Sequence, residues 1–128
     1  MNAGTCQFCT QLGQGEPEPL AERPTAVSLP EGRPHATGHA VVIPRRHVGR
    51  LTELSEHEHH ELFALAREVT LELQRAHQPD AFTLGMNDGP AAGQSTPHVH
   101  LHIVPRTSGD VEDPRGGIRR ALPPPLTR

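Results

Sequence analysis

In the stretch Gly93-Gln94-Ser95-Thr96-Pro97-His98-Val99-His100-Leu101-His102-Ile103-Val104-Pro105, three histidines alternate with three aliphatic residues. A period of two is the signature of a β-strand, on which residues two apart share a face. His98, His100 and His102 are therefore expected together on one side, wet or lining a cleft. Val99, Leu101 and Ile103 would form the underside, packed on a core. Gly93 through Pro97 reads as a turn offering backbone N–H groups and small hydroxyls beside the first histidine, an anion site next to nucleophiles.

Working outward, two further apolar runs read as strands: Gly38–Pro44, closed by proline, and Phe82–Asn87, turned back by Asp88-Gly89-Pro90. Thr25–Leu29 reads as a shorter one. The main helix is expected from Glu56 to about Gln78, with Ser55 and Glu58 as its capping box and Pro79 closing it. Leu62, Leu65, Ala66, Val69, Leu73 and Ala76 form its apolar stripe. His57, His59 and His60 fall in its first, polar turns, and His77 suits the negative end of its dipole. Residues 11–24 read as a Pro/Gly-rich loop, and Arg45 and Arg46 as solvated. The fold class is α+β, an antiparallel sheet with helix on one side. One domain, 1–120, is expected to carry it, followed by a proline-rich tail, 121–128.

Composition narrows the function. Net charge is −3 with no basic block, which argues against nucleic acid or a membrane surface as partner. There is no apolar run long enough to span a bilayer, and two cysteines do not make a disulfide scaffold, so a cytoplasmic location is expected. All twelve cationic residues are arginine, so lysine Schiff-base chemistry and a P-loop lysine are excluded. With 34% apolar residues, three Phe and no Tyr or Trp, the core is small and aliphatic, and some apolar surface suits burial against a second copy.

Cys6-Gln7-Phe8-Cys9 reads as a metal half-site, a redox pair or two plain thiols; Gly13, Gly15, Pro17 and Pro19 downstream weaken the redox reading. The histidine row also admits three readings. One straight strand spaces neighbouring histidine Cβ atoms roughly 6.5–7 Å apart, which makes a shared three-histidine metal site awkward. Three incidental histidines in strict alternation are a poor match to chance. A central imidazole acting as nucleophile on phosphorus, with its neighbours binding phosphate oxygens, fits best.

Gly93 through His102 resembles the signature of the histidine triad (HIT) superfamily. Cys6–Cys9, Gly38-His39 through Pro44-Arg45-Arg46-His47, and Asn87 with Gly89 resemble other parts of it in order. Ile103–Arg106 and Gly109-Asp110 to Pro114–Gly117 resemble its bacterial dinucleoside-polyphosphate-hydrolase-like members. The resemblance implies an antiparallel sheet of about five strands with two helices, commonly paired as a homodimer. It implies cleavage at the α-phosphate of an adenine or other purine nucleotide conjugate through a nucleotidyl-histidine intermediate. His100 would be the nucleophile, with His102 and Ser95 on the phosphate and Gln94 on the leaving-group side. Asn87 and backbone at Gly93 would complete the anion pocket. His102, where transferases of the superfamily carry Gln, points to hydrolysis. Zinc-bearing relatives imply Cys6, Cys9, His47 and His98 as a closed, structural Cys₂His₂ zinc site. Leu29–Pro34 departs from the ribose-binding pattern, with Glu31 in place of an aspartate. The competing class is a nucleotide-binding, zinc-stabilised interaction protein with vestigial hydrolysis.

Overall fold

The structure, a computed structural model, describes residues 3–126. Its strands are β1 (Ala21–Arg23), β2 (Ala26–Pro30), β3 (Ala40–Pro44), β4 (Ala81–Gly85) and β5 (Leu101–Arg106). They form one antiparallel sheet in the order β1-β2-β3-β5-β4. Helix α1 spans Gln7–Gln14 and α2 spans Glu56–His77. The fold class expected from the sequence is the one observed, with one difference: the helices lie on opposite faces of the sheet.

That difference explains the burial of the central strands. β2 and β3 are buried at nearly every position, because α2 covers one face and α1 the other. Along β2 and β3, Ala26, Ala40 and Val42 join Leu62, Leu65, Val69 and Leu73 of α2 in one cluster. The alternate positions Val27, Leu29, Val41 and Ile43 pack with Cys6 and Phe8 in another. Val99, Leu101 and Ile103 belong to the α2 cluster, as their alternation implied.

Helix α2 begins and ends where its caps dictate. Ser55 Oγ accepts from Glu58 N–H at 3.0 Å and the Glu58 carboxylate accepts from Ser55 N–H at 2.9 Å, while Gln78 closes the helix in the left-handed region. The stripe ends one turn early: Leu73 is buried but Ala76 is exposed. Glu61, near the start of α2, accepts from Arg23 Nε at 2.8 Å and from Thr25 N–H and Oγ1 at 3.0 Å, tying the helix to the β1–β2 turn. Arg46, expected to be solvated, grips Glu58 with two contacts at 2.7 and 3.0 Å. Arg45 bonds Glu22 at 2.9 Å.

Three other boundaries differ from expectation. Residues 11–14 continue α1 instead of starting a loop, because Gly15 at φ 68° supplies the left-handed cap that ends it. β1 was hidden in the same polar stretch; as a three-residue edge strand it has too few positions to show a period. β5 begins at Leu101, so His98 and His100 precede it in an irregular segment held by Val99 N–H on the Val48 carbonyl at 2.7 Å.

Candidate active site and metal centre

The imidazoles share a face as expected, but that face is not wet at its start. His98 is fully buried and His100 is 8% exposed, because α1 folds over them. His102, opposite Val41 in the β3–β5 ladder, stands at the edge of the cover with its side chain 34% exposed.

His98 lies at the centre of a cluster with Cys6, Cys9 and His47, whose ligand atoms all fall within 4.8 Å of one another. Four of the separations are 3.4 Å for Cys6 Sγ–His98 Nδ1, 3.4 Å for Cys9 Sγ–His47 Nδ1, 3.6 Å for Cys9 Sγ–His98 Nδ1 and 3.3 Å for His47 Nδ1–His98 Nδ1. A tetrahedral ion with bonds of about 2.3 Å to sulfur and about 2.0–2.1 Å to nitrogen needs edges of about 3.3–3.8 Å, so the donors fit. The tautomer fits too. His98 Nε2–H donates to the Pro44 carbonyl at 2.8 Å, which leaves Nδ1 as a lone pair facing the cluster. Desolvation first, then the Cys6 sulfur, push the Cys9 thiol up to about 11, and a cation among these donors would reverse that.

Two residues downstream, His100 Nδ1 lies 2.8 Å from the His98 carbonyl. A carbonyl only accepts, so Nδ1 carries a proton, and the neutral tautomer this selects has its lone pair on Nε2. The Phe8 ring, 6% exposed and set between the two cysteines, packs against His98 and His100 with centroids 5.6 and 5.2 Å away. The chain thus fixes both the tautomer and the plane of the central imidazole.

His102 is fixed by a different chain of bonds. His35 N–H donates to His39 Nδ1 at 3.1 Å, so the His39 proton is on Nε2, 3.0 Å from His102 Nδ1. His102 accepts there and presents Nε2–H outward. Burial, the largest cause for each, lowers the pKa of His39 and His102 and so favours their neutral forms. Glu31 Oε2 stands 3.6 Å from His102 Nδ1. Glu31, His39 and His102 also lie within metal-ligand reach of one another, but a proton on His39 Nε2 leaves that nitrogen no lone pair to offer.

The loop before the histidines is braced rather than loose. Gln94 Oε1 accepts from Gly89 N–H at 2.7 Å, and its Nε2 donates to the carbonyls of Gly49 and Thr96 at 2.9 and 3.1 Å. Its amide is therefore committed to three backbone groups. Gly93 adopts φ 97°, which glycine alone reaches without strain, beside the Asn87 amide. Asn87, Gly93 and Ser95 are exposed. Sequence reasoning did not give roles to His39 and Phe8. The signal for His39 was its place one residue ahead of the most apolar run in the chain; Phe8 had only its position between two cysteines.

Residues 17–109 match the HIT domain family model. An Arabidopsis thaliana protein named bifunctional bis(5'-adenosyl)-triphosphatase/adenylylsulfatase is 42% identical over 89 residues, 70% of this chain and 49% of that one. A Schizosaccharomyces pombe asymmetrical bis(5'-nucleosyl)-tetraphosphatase is 40% identical over 81 residues, 63% of this chain and 44% of that one. The matched region thus spans about half or less of these curated relatives. The crystal structure of a zinc-bound histidine triad family protein from Mycobacterium smegmatis superimposes with a TM-score of 0.77 at 27% identity, covering 94% of this chain and 95% of that one. With its histidine pattern, its five-stranded sheet and a family match over most of its length, this chain belongs to the HIT domain family.

Proposed function

We propose that the chain is a hydrolase of dinucleoside polyphosphates or related purine nucleotide conjugates, cleaving at the α-phosphate with His100 as nucleophile. One observation carries the reading: the 2.8 Å bond from His100 Nδ1 to the His98 carbonyl sets the ring's tautomer, so that Nε2 is the nitrogen turned to substrate as the nucleophile. In the first step Nε2 bonds to phosphorus, the bond from phosphorus to the leaving phosphate oxygen breaks, and the departing group takes a proton from solvent. Water then attacks phosphorus, the P–N bond breaks, the water's proton returns to solvent, and nucleoside monophosphate leaves with Nε2 restored. His102, a neutral Nε2–H donor, bonds a non-bridging phosphate oxygen as charge builds there. Ser95, Asn87 and backbone at Gly93 complete the anion pocket, and Glu31 takes the ribose. Gln94 acts by holding this loop, since its amide is already engaged.

The Cys6, Cys9, His47 and His98 set would hold zinc. With four protein donors and no open position, the ion would be structural. Bound there, it contributes a clamp between α1 and the segment ahead of the nucleophile.

His100→Ala tests the reading. Turnover of diadenosine triphosphate is expected to fall by about 10⁴-fold or more, as loss of a covalent nucleophile requires, with circular dichroism and zinc content unchanged. Undiminished turnover in that variant defeats it. Tight nucleotide binding with no turnover on any conjugate would favour the interaction-protein reading instead.

A further inference from the structure

On the face of the sheet that carries His102, a groove of about 630 Å³ runs along β4 and β5 away from the catalytic histidines. Its floor is Ala81, Thr83 and Gly85 of β4 and His102, Val104 and Arg106 of β5, paired across the ladder. Its wall is the segment 107–118, which contributes Val111 and Ile118, 46% and 65% exposed. Asn87 and His102 close one end, so the groove is continuous with the proposed reaction site.

The groove's charged groups are already satisfied. Arg106 bonds Asp110 through Nε and Nη2 at 2.7 and 2.9 Å, and Thr83 Oγ1 through Nη1 at 3.0 Å. Asp80 accepts from Ser108 N–H at 2.8 Å. A phosphate finds no uncommitted arginine along this wall, whereas a planar, uncharged group finds a shallow floor whose middle is the small side chains of Ala81, Thr83, Gly85 and Val104. The volume lies within the range of about 300–1,000 Å³ common for small-molecule sites. Glu31 stands on the opposite flank of His102, beyond β3, so a substrate with two nucleosides has a place for one on either side.

We propose that this groove receives the nucleoside of the departing nucleotide when a dinucleoside polyphosphate is cleaved. The assignment rests on the hydrolase reading above and adds to it a determinant of leaving-group preference.

The test compares two substrates that transfer the same adenylyl group: diadenosine triphosphate, and adenosine 5'-phosphosulfate, whose leaving group is sulfate. Val104→Trp fills the groove. The ratio of the two KM values, triphosphate over phosphosulfate, is expected to rise about tenfold, the scale of a lost apolar subsite. An unchanged ratio overturns the proposal, as does a shift from dimer to monomer with both substrates slowed alike, which assigns the groove to a second copy of the chain. A second measurement does not depend on turnover or on the variant's folding. Methyl NMR of the parent chain should show Val104, Val111 and Ile118 shifting with a methylene-bridged diadenosine triphosphate analogue and not with AMP. Equal shifts with both, or none, overturn the proposal. Failure of the parent chain to hydrolyse either substrate sinks the hydrolase reading separately, and the methyl shifts then judge the groove alone.

Discussion

Through its ring, His98 offers Nδ1 to the Cys6, Cys9 and His47 cluster, while its carbonyl accepts the Nδ1–H of His100. Any movement of His98 therefore reaches the proposed nucleophile, His100, through one backbone bond. His39 plays the corresponding part for His102, and its removal should free His102 to exchange tautomers. For His39→Ala we expect kcat to fall by about tenfold to a hundredfold, with KM nearly unchanged and the chain folded. Equal kcat values would show that His102 does not need this partner. His100 and His102 were legible because strict alternation with aliphatic residues marks an extended segment with one polar and one apolar face. His39 was not, because its partner lies 63 positions away, joined to it only when β3 pairs with β5.

Among the elements, α2 was readable to within a residue because its stripe gives the helical period and its two ends are marked by the Ser55–Glu58 capping box and Pro79. Helix α1 was not, since eight residues give little more than two turns of periodicity and its buried face rests on Phe8. We expect α1 to be ordered by metal held among Cys6, Cys9, His47 and His98. Removal of zinc by a strong chelator should lower the melting temperature by about 10 °C or more, as loss of a ligand bound only by the folded state requires. An unchanged melting temperature would rule out a structural metal. Glu58 joins the α2 cap to Arg46, one residue before His47. The Arg46 hydrogen bonds, followed by Ser55 N–H, hold its carboxyl at about 2, below its ordinary value of 4.5. Its folded-state pKa is depressed, so the stabilisation is fully present above pH 4.5 and is lost as pH falls towards about 2. The drop in urea midpoint between about pH 5 and about pH 2.5 should therefore be smaller in Glu58→Gln than in the parent chain. An equal drop would assign acid unfolding to other groups.

At the scale of the molecule, one small sheet carries a helix on each face, which a chain with 34% apolar residues achieves by burying β2 and β3 on both sides. β4 is left as an edge strand, with Leu84 47% exposed, and Phe63 and Leu71 lie 42% exposed on α2. Unpaired edges of this kind invite a second copy. We expect sedimentation to show a dimer that Leu84→Glu converts to monomer; a monomeric parent chain would refute this. Pairing was implied by composition and by family resemblance but could not be placed on β4, because nothing in a single chain's periodicity marks an edge strand. The whole mechanism turns on His100 becoming covalently attached to substrate. Rapid-quench intact-mass analysis during diadenosine triphosphate turnover tests this most directly. It should reveal one adenylyl group per chain, mapped by peptide fragmentation to His100 and absent from His100→Ala. Steady turnover with no adduct at any quench time, or an adduct on another residue, would contradict it.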